Sequence, residues 1–129
     1  MEKATLEALL ERKAQAMKAK MAVKEIAVPV LNMTLTVEKL PLVRVLQLID
    51  KYKDDDSLGG KFELYKELIY MSVPLFQNKQ LQEVYEVAEP TDIVTLLFEQ
   101  NLTAITALGD EIGAMYGIND NGAIEELKN

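Results

Sequence analysis

The fold class is decided by one short stretch, residues 24–37, whose sequence is KEIAVPVLNMTLTV. Apolar side chains recur there at every second position, the period expected of half-buried β-strands. A two-residue turn at Leu31-Asn32 would close a hairpin with all its apolar side chains on one face, pairing Val30 with Met33, Val28 with Leu35 and Ile26 with Val37. Pro29 has no N–H to donate, which predicts an edge strand. An isolated hairpin is marginal, so this one must pack on helices or pair with another chain.

On both sides of the hairpin the apolar period becomes that of a helix. Residues 5–22 predict a charged amphipathic helix capped by Thr5, with its apolar stripe at Leu6, Leu9, Leu10, Met17 and Met21. Pro41 begins a helix that is apolar over most of its circumference, which predicts a central position. Further helices are predicted over 61–72, 78–87 and 90–116, the last with a break near Asn101.

The predicted fold is therefore mainly α, a small helical domain with one N-terminal β-hairpin (about residues 24–38) packed on four to five helices. Three segments follow: a charged helix over 1–22, the hairpin and helical domain over 23–117, and a flexible polar tail over 118–129. The first helix either packs on its own domain or is partly mobile. Glycines recur every fourth residue at Gly109, Gly113 and Gly117, so the last helical turns either pack very closely or are weak.

The composition excludes several classes of function. The chain has 129 residues, a formal charge of −7, no His and no Cys. Without Cys there is neither a disulfide nor a thiolate nucleophile, and without His the usual general base is missing. The negative charge argues against nucleic-acid binding, which needs clustered bases. No apolar run approaches the ~20 residues that span a bilayer, and no secretory signal opens the chain. These features predict a cytoplasmic protein that binds a partner other than nucleic acid or a membrane.

The charges are unevenly distributed along the chain. Residues 1–24 hold six bases and three acids, whereas residues 80–127 hold ten acids and no base. A plain acidic surface that keeps the chain soluble explains this distribution. An acidic face that meets a basic partner also explains this distribution, and the basic residues of the segment 1–24 could then serve self-association.

Three patterns suggest sites, and each fails as a motif. Asp54, Asp56 and Gly59 match the start of a calcium loop, but Leu58 and Tyr65 stand where oxygen ligands are required. Gly59-Gly60-Lys61 lacks the following hydroxyl residue of a phosphate-binding loop. Pairs of carboxylates occur on the predicted helices without any other catalytic group. No enzymatic activity, metal or cofactor is therefore expected.

Three other stretches carry a resemblance to a known family. They are the hairpin and its exit at 24–41, from KEI through LTVEKLP, then YEVAEPTDIV at 85–94, and MYG at 115–117. In order and spacing the chain resembles, over roughly residues 5–117, the XkdN-like tail assembly chaperones of PBSX-type phage-like elements and related contractile-tailed phages. None of these stretches is a catalytic motif, so the resemblance assigns no catalytic or metal residue.

The resemblance implies a chaperone that binds the tape measure protein in the cytoplasm of the host bacterium and keeps it soluble. Such chaperones help tail tube subunits polymerise around the tape measure protein and are absent from the finished particle. Many of their genes also yield a longer product by ribosomal frameshifting. Two contacts between copies remain open: the hairpin edge, or the basic first helix against a neighbour's acidic half.

A second class of function fits the same residues: a small acidic helical adaptor or regulator that binds one compact host protein.

Whichever class holds, four apolar residues near the acidic half are candidates for the contact with a partner: Tyr85, Ile93, Leu97 and Tyr116. Packing in the core is the alternative role for each of them.

Overall fold

The computed structural model describes residues 1, 3–18 and 23–117, apart from the side chains of residues 16–18. It confirms the predicted fold class, because the described residues form six α-helices and one antiparallel hairpin. The elements are α1 (Leu6–Lys18), β1 (Val23–Val28), β2 (Met33–Glu38), α2 (Leu42–Lys51), α3 (Leu58–Ser72), α4 (Lys79–Val84), α5 (Asp92–Leu97) and α6 (Leu102–Ala114). Two 3₁₀ turns, Pro29–Leu31 and Pro74–Gln77, connect β1 to β2 and α3 to α4.

The hairpin forms as predicted, but the predicted turn and register are wrong. The loop spans Pro29 to Asn32, and Val28 therefore pairs with Met33, where the sequence had paired Val30 with Met33. A two-residue hairpin turn would require positive φ at Leu31, and in its type I′ form at Asn32 as well. The longer loop places only Asn32 there, at φ 53°, and Asn tolerates this region far better than Leu.

The register differs by two residues, so each strand keeps the face that the sequence predicted. The four central side chains of that face are buried: Ile26, Val28, Leu35 and Val37. The outer two are not, contrary to the prediction. Met33 is 66% exposed beside the loop, and Val30 lies within the 3₁₀ turn and is half-buried.

The centre of the fold is α3, which packs against α2, α5 and α6. The prediction that the helix after Pro41 is central is wrong. Only Val45, Leu48 and Ile49 of α2 are buried, while its opposite face exposes Leu42, Val43 and Leu46. An apolar circumference shows that a helix can be buried on every side, but it does not say how many neighbours will cover it.

The start of α3 lies three residues earlier than predicted, because a cap overrides the poor helix propensity of Gly59-Gly60. The Gly60 N–H donates to Ser57 Oγ at 3.0 Å, and the Ser57 N–H donates to Asp55 Oδ1 at 3.0 Å. These bonds satisfy donors that a helix end would otherwise leave free. Further along the chain, Gly109 of α6 faces the ring of Tyr65 of α3, in close contact.

Two helices end on a glutamate in a conformation that favours glycine. Glu86 follows α4 and Glu99 follows α5, each at φ 53°. In each case the next residue's N–H reaches back to a carbonyl of the last helical turn: Val87 to Gln82 at 3.3 Å and Gln100 to Thr95 at 2.9 Å. This bond is the signature of a Schellman cap. The second cap confirms the predicted break near Asn101.

The first helix begins as predicted, with the Ala8 N–H donating to Thr5 Oγ1 at 3.2 Å. Every side chain of α1 that the structure describes is exposed, including Leu6, Leu9 and Leu10. The prediction that this helix continues through residues 19–22 lies outside the described residues, and so does the predicted flexible tail at 118–129.

Candidate functional site

Exposed apolar side chains gather where α3 and α6 begin. Leu58 is 67% exposed and Leu102 is 39% exposed, and together with half-buried Phe62 they line two adjoining recesses of about 390 and 400 Å³. We call this surface the helix groove. Its lining residues are Leu58, Gly59, Lys61, Phe62, Tyr65, Thr95, Gln100, Leu102, Thr103, Thr106 and Asp110.

Helix caps hold the two leucines of the helix groove in place. Ser57 caps α3 and Asn101 caps α6, where the Ala104 N–H donates to Asn101 Oδ1 at 3.0 Å. Leu58 and Leu102 are therefore each the first residue of a capped helix. Both side chains are exposed at these positions, so both remain available to a partner.

The helix groove also has polar groups that can orient a ligand. The Tyr65 hydroxyl donates to Asp110 Oδ1 at 2.7 Å, which joins α3 to α6 beneath the recess. Lys61 and Asp110 provide one charge of each sign within the lining. The helix groove therefore combines large apolar side chains with several polar ones, and in a binding site apolar area supplies affinity while fixed polar groups supply orientation.

A second apolar recess lies between β1 and α6. We call it the strand groove; its volume is about 470 Å³, and it is lined by residues 26–30, Asn101, Thr103, Ala104, Ala107, Leu108 and Glu111. Its floor consists of buried Ile26, Val28 and Leu108. Glu111 is the one charged residue of this lining.

A buried lysine ties α5 to α3 and thereby fixes one wall of the helix groove. Lys66 is only 7% exposed, and its Nζ lies 3.1 Å from Glu63 and 3.3 Å from Asp92. Burial by itself lowers the pKa of Lys66, but the hydrogen bonds and negative charges of Glu63 and Asp92 outweigh burial and raise the pKa. The ammonium also lies 5.7 Å from the centre of the Phe62 ring.

Two tyrosines have raised pKa values because folding buries them. Burial raises the pKa of Tyr52, and so do its hydrogen bond to Glu67 and the negative charge of that carboxylate. Burial also raises the pKa of Tyr116, although the Leu40 N–H donating to its oxygen at 2.6 Å acts in the opposite direction. Both hydroxyls therefore keep their protons more strongly in the folded chain than in the unfolded chain.

Stability is consequently expected to fall in alkaline solution. Above about pH 10 the unfolded chain releases protons that Tyr52, Tyr116 and Lys66 still hold in the fold, so the free energy of unfolding decreases as the pH rises. We expect a loss of about 1–2 kcal/mol between roughly pH 8 and pH 11, measured by urea denaturation. Tyr52→Phe should reduce that loss. A loss in Tyr52→Phe equal to that of the parent chain would contradict this assignment.

The structure places the four predicted contact residues on three different elements. Ile93 is fully buried between the helices, and Leu97 is half-buried on the same helix, α5. Tyr116 follows α6, and its hydroxyl accepts a hydrogen bond from the Leu40 N–H. Only Tyr85, at the end of α4, has a largely accessible side chain, with 43% exposed. The four do not together line either groove.

Comparison with known proteins gives no further assignment. No family model, curated protein or solved structure matches this chain.

Within the part of the chain that the structure describes, no three carboxylates cluster in a way that could hold a metal ion. Among those same residues, no helix has both the length and the apolar composition needed to cross a bilayer.

The residues of both grooves were missed by the sequence interpretation. Leu58 directly follows the polar run 54–57, and Leu102 directly follows Asn101, so a cap-then-leucine pattern marks both positions. That pattern could have indicated the two helix ends. It could not indicate that the ends lie side by side, since 44 residues separate them along the chain.

Proposed function

We propose that this chain is a tail assembly chaperone of a phage or prophage-like element, which binds the tape measure protein and keeps it soluble while the tail tube assembles. The observation that supports this most directly is the helix groove, an accessible surface on which the apolar side chains of Leu58, Phe62 and Leu102 lie among polar ones. The resemblance over residues 24–41, 85–94 and 115–117 supplies the kind of partner.

The groove suits a helical partner on physical grounds. A tape measure helix carries an apolar stripe that aggregates unless it is covered. Side chains at positions i, i+3, i+4 and i+7 of such a helix can enter adjoining recesses, as in other helix-in-groove complexes. Lys61 and Asp110 can pair with charges that flank the stripe. One shallow groove gives weak binding, so many copies along one partner would hold it together and still leave as tube subunits arrive.

The same proposal covers the other partners and the location. We infer that the chain acts in the host cytoplasm, leaves before the particle matures, and contacts the tail tube protein and a longer frameshifted form of itself. Copies can also contact one another: α1 exposes Leu6, Leu9 and Leu10 within a segment, residues 1–24, that holds six bases and three acids, while residues 80–117 hold seven acids and no base. Charge complementarity would bring that helix to a neighbour's acidic half.

The test is a tagged pull-down from cells that express the whole tail gene cluster, with copy numbers read by quantitative mass spectrometry. We expect many copies of the chain for each long helical protein. The double variant Leu58→Glu/Leu102→Glu should reduce that recovery about tenfold, since it places charges in the helix groove. Leu75→Glu is the matched control, because Leu75 is 62% exposed and does not line the groove.

Two outcomes would contradict the proposal. Recovery of one compact host protein at equal stoichiometry, without any tail component, would favour the acidic adaptor. Recovery of the tape measure protein with equal yield from the double variant and from Leu75→Glu would show that the helix groove is not the contact. Circular dichroism of both variants establishes that the changes act on the surface and not on the fold.

A further inference from the structure

The outer edge of β1 is a free strand edge. Within the described residues the sheet contains β1 and β2 alone, and β2 packs against the Pro74–Gln77 turn. In an antiparallel pair every second residue directs its N–H and C=O away from the partner strand. The side of β1 away from β2 therefore presents a row of main-chain donors and acceptors, which a further strand could satisfy.

The strand groove lies beside the second half of this edge. Ile26, Ala27 and Val28 of β1 and the first two residues of the following turn contribute to its lining, which therefore includes both inward-facing and outward-facing side chains of β1. The opposite wall is α6, where Ala104 and Ala107 leave room because their side chains are small. A strand added beside β1 would pair its main chain with the free edge of β1. Its alternate side chains would pack against Ile26, Val28 and Leu108.

The charge of the strand groove also limits what can enter it. Glu111 is its one charged lining residue, and residues 80–117, which include α6, contain no base. A partner with a lysine or arginine near Glu111 gains a favourable interaction there, whereas an acidic one meets repulsion. Pro29 ends the strand and limits the pairing to β1 itself, which at its six residues is about 20 Å long.

We propose that the strand groove binds an extended segment of another protein by strand addition to β1, the segment having alternating apolar residues and a basic residue that faces Glu111. This goes beyond the proposed function, because the site, the partner conformation and the binding mode differ from those of the helix groove. The main chain supplies affinity in this mode, and the pockets for alternate side chains supply selectivity.

The test uses the full chain and a synthetic probe, the capped peptide Lys-Val-Thr-Val-Thr-Val-Thr-Lys. We expect saturable one-to-one binding by calorimetry, together with slower hydrogen exchange of the outward-facing amides of β1. N-methylation of alternate residues on one edge of the peptide should weaken binding about tenfold, because it removes main-chain donors. A peptide with Glu at both ends should bind about two- to fivefold more weakly.

Variants of the chain locate the site. Ala107→Arg should reduce affinity about tenfold by filling the strand groove, whereas Ala114→Arg, an exposed position on the same helix outside its lining, should not. Glu111→Lys should reverse the preference, so that the Glu-ended peptide binds better than the Lys-ended one. Circular dichroism confirms the fold of each variant.

Three results would overturn the proposal. The first is no binding of the probe, and the second is binding that Ala107→Arg leaves unchanged. The third is a dimer of the unliganded chain that Ala107→Arg dissociates, which would show that a second copy occupies the edge. None of these depends on the helix groove, so they are independent of the Leu58→Glu/Leu102→Glu result.

Discussion

Gly109→Ala is expected to lower the free energy of unfolding by about 3 kcal/mol, although alanine is the better helix former. A Cβ at this position would lie well under 3.0 Å from the Tyr65 ring. That ring is 1% exposed and its hydroxyl is bonded to Asp110, so it cannot swing aside as a flexible side chain would. The methyl group would therefore push α3 and α6 apart, and both helices carry much of the core.

Gly59→Ala is the matched control for this substitution. Gly59 is exposed in the first turn of α3, and its added Cβ would meet only Ser57 Oγ, at 3.8 Å. We expect Gly59→Ala to raise the free energy of unfolding by about 0.5–1 kcal/mol through helix propensity alone. Urea denaturation measures both changes. Equal stability of Gly109→Ala and the parent chain would mean that α3 and α6 are not in close contact at Gly109.

Phe98→Ala is expected to cost about 3–5 kcal/mol. Phe98 follows α5 and is fully buried, and it meets Phe76 of the Pro74–Gln77 turn edge to face, with ring centres 6.3 Å apart and planes at 88°. Removing the ring leaves a cavity between two segments that are distant along the chain. It also removes an aromatic contact worth about 1 kcal/mol beyond the buried area.

A double-mutant cycle separates the aromatic contact from the cavity. Phe76→Ala, Phe98→Ala and the double variant should show a coupling energy of about 1 kcal/mol. Leu75→Ala is the control beside Phe76, and because Leu75 is exposed it should change stability by less than about 0.5 kcal/mol. Strict additivity of the two phenylalanine changes would contradict a direct contact between the rings.

The parts of the fold that the sequence could predict are those that depend on local chemistry. The alternation over 24–37 predicted which face of each strand turns inward, and the helical pattern predicted a break near Asn101. The register could not be predicted from alternation, because a shift of two residues leaves every side chain on the same face. The loop decides the register: the four-residue loop places Asn32, and not Leu31, at positive φ, a conformation that Asn tolerates better than Leu.

The parts that could not be predicted depend on which elements become neighbours. The sequence of α2 is apolar over most of the helix circumference, yet α3 becomes central because α5 and α6 also cover it. The candidate site shows the same limit. Tyr85, Ile93, Leu97 and Tyr116 were chosen for their chemistry near the acidic half, whereas the two grooves depend on helix ends and a strand edge that meet only in three dimensions.

The segment from Lys79 to Pro90 has a consequence for how the protein opens. No residue of its helix α4 is buried, and the segment turns at Glu86, where a left-handed backbone costs a non-glycine residue about 1–2 kcal/mol. Half-buried Leu81 and Val87 join it to the core, and the Gln82 side chain donates to the Tyr70 hydroxyl and the Phe76 carbonyl. Opening this segment should therefore need less free energy than opening the packing around α3, and its amides should exchange with solvent faster than those of α3.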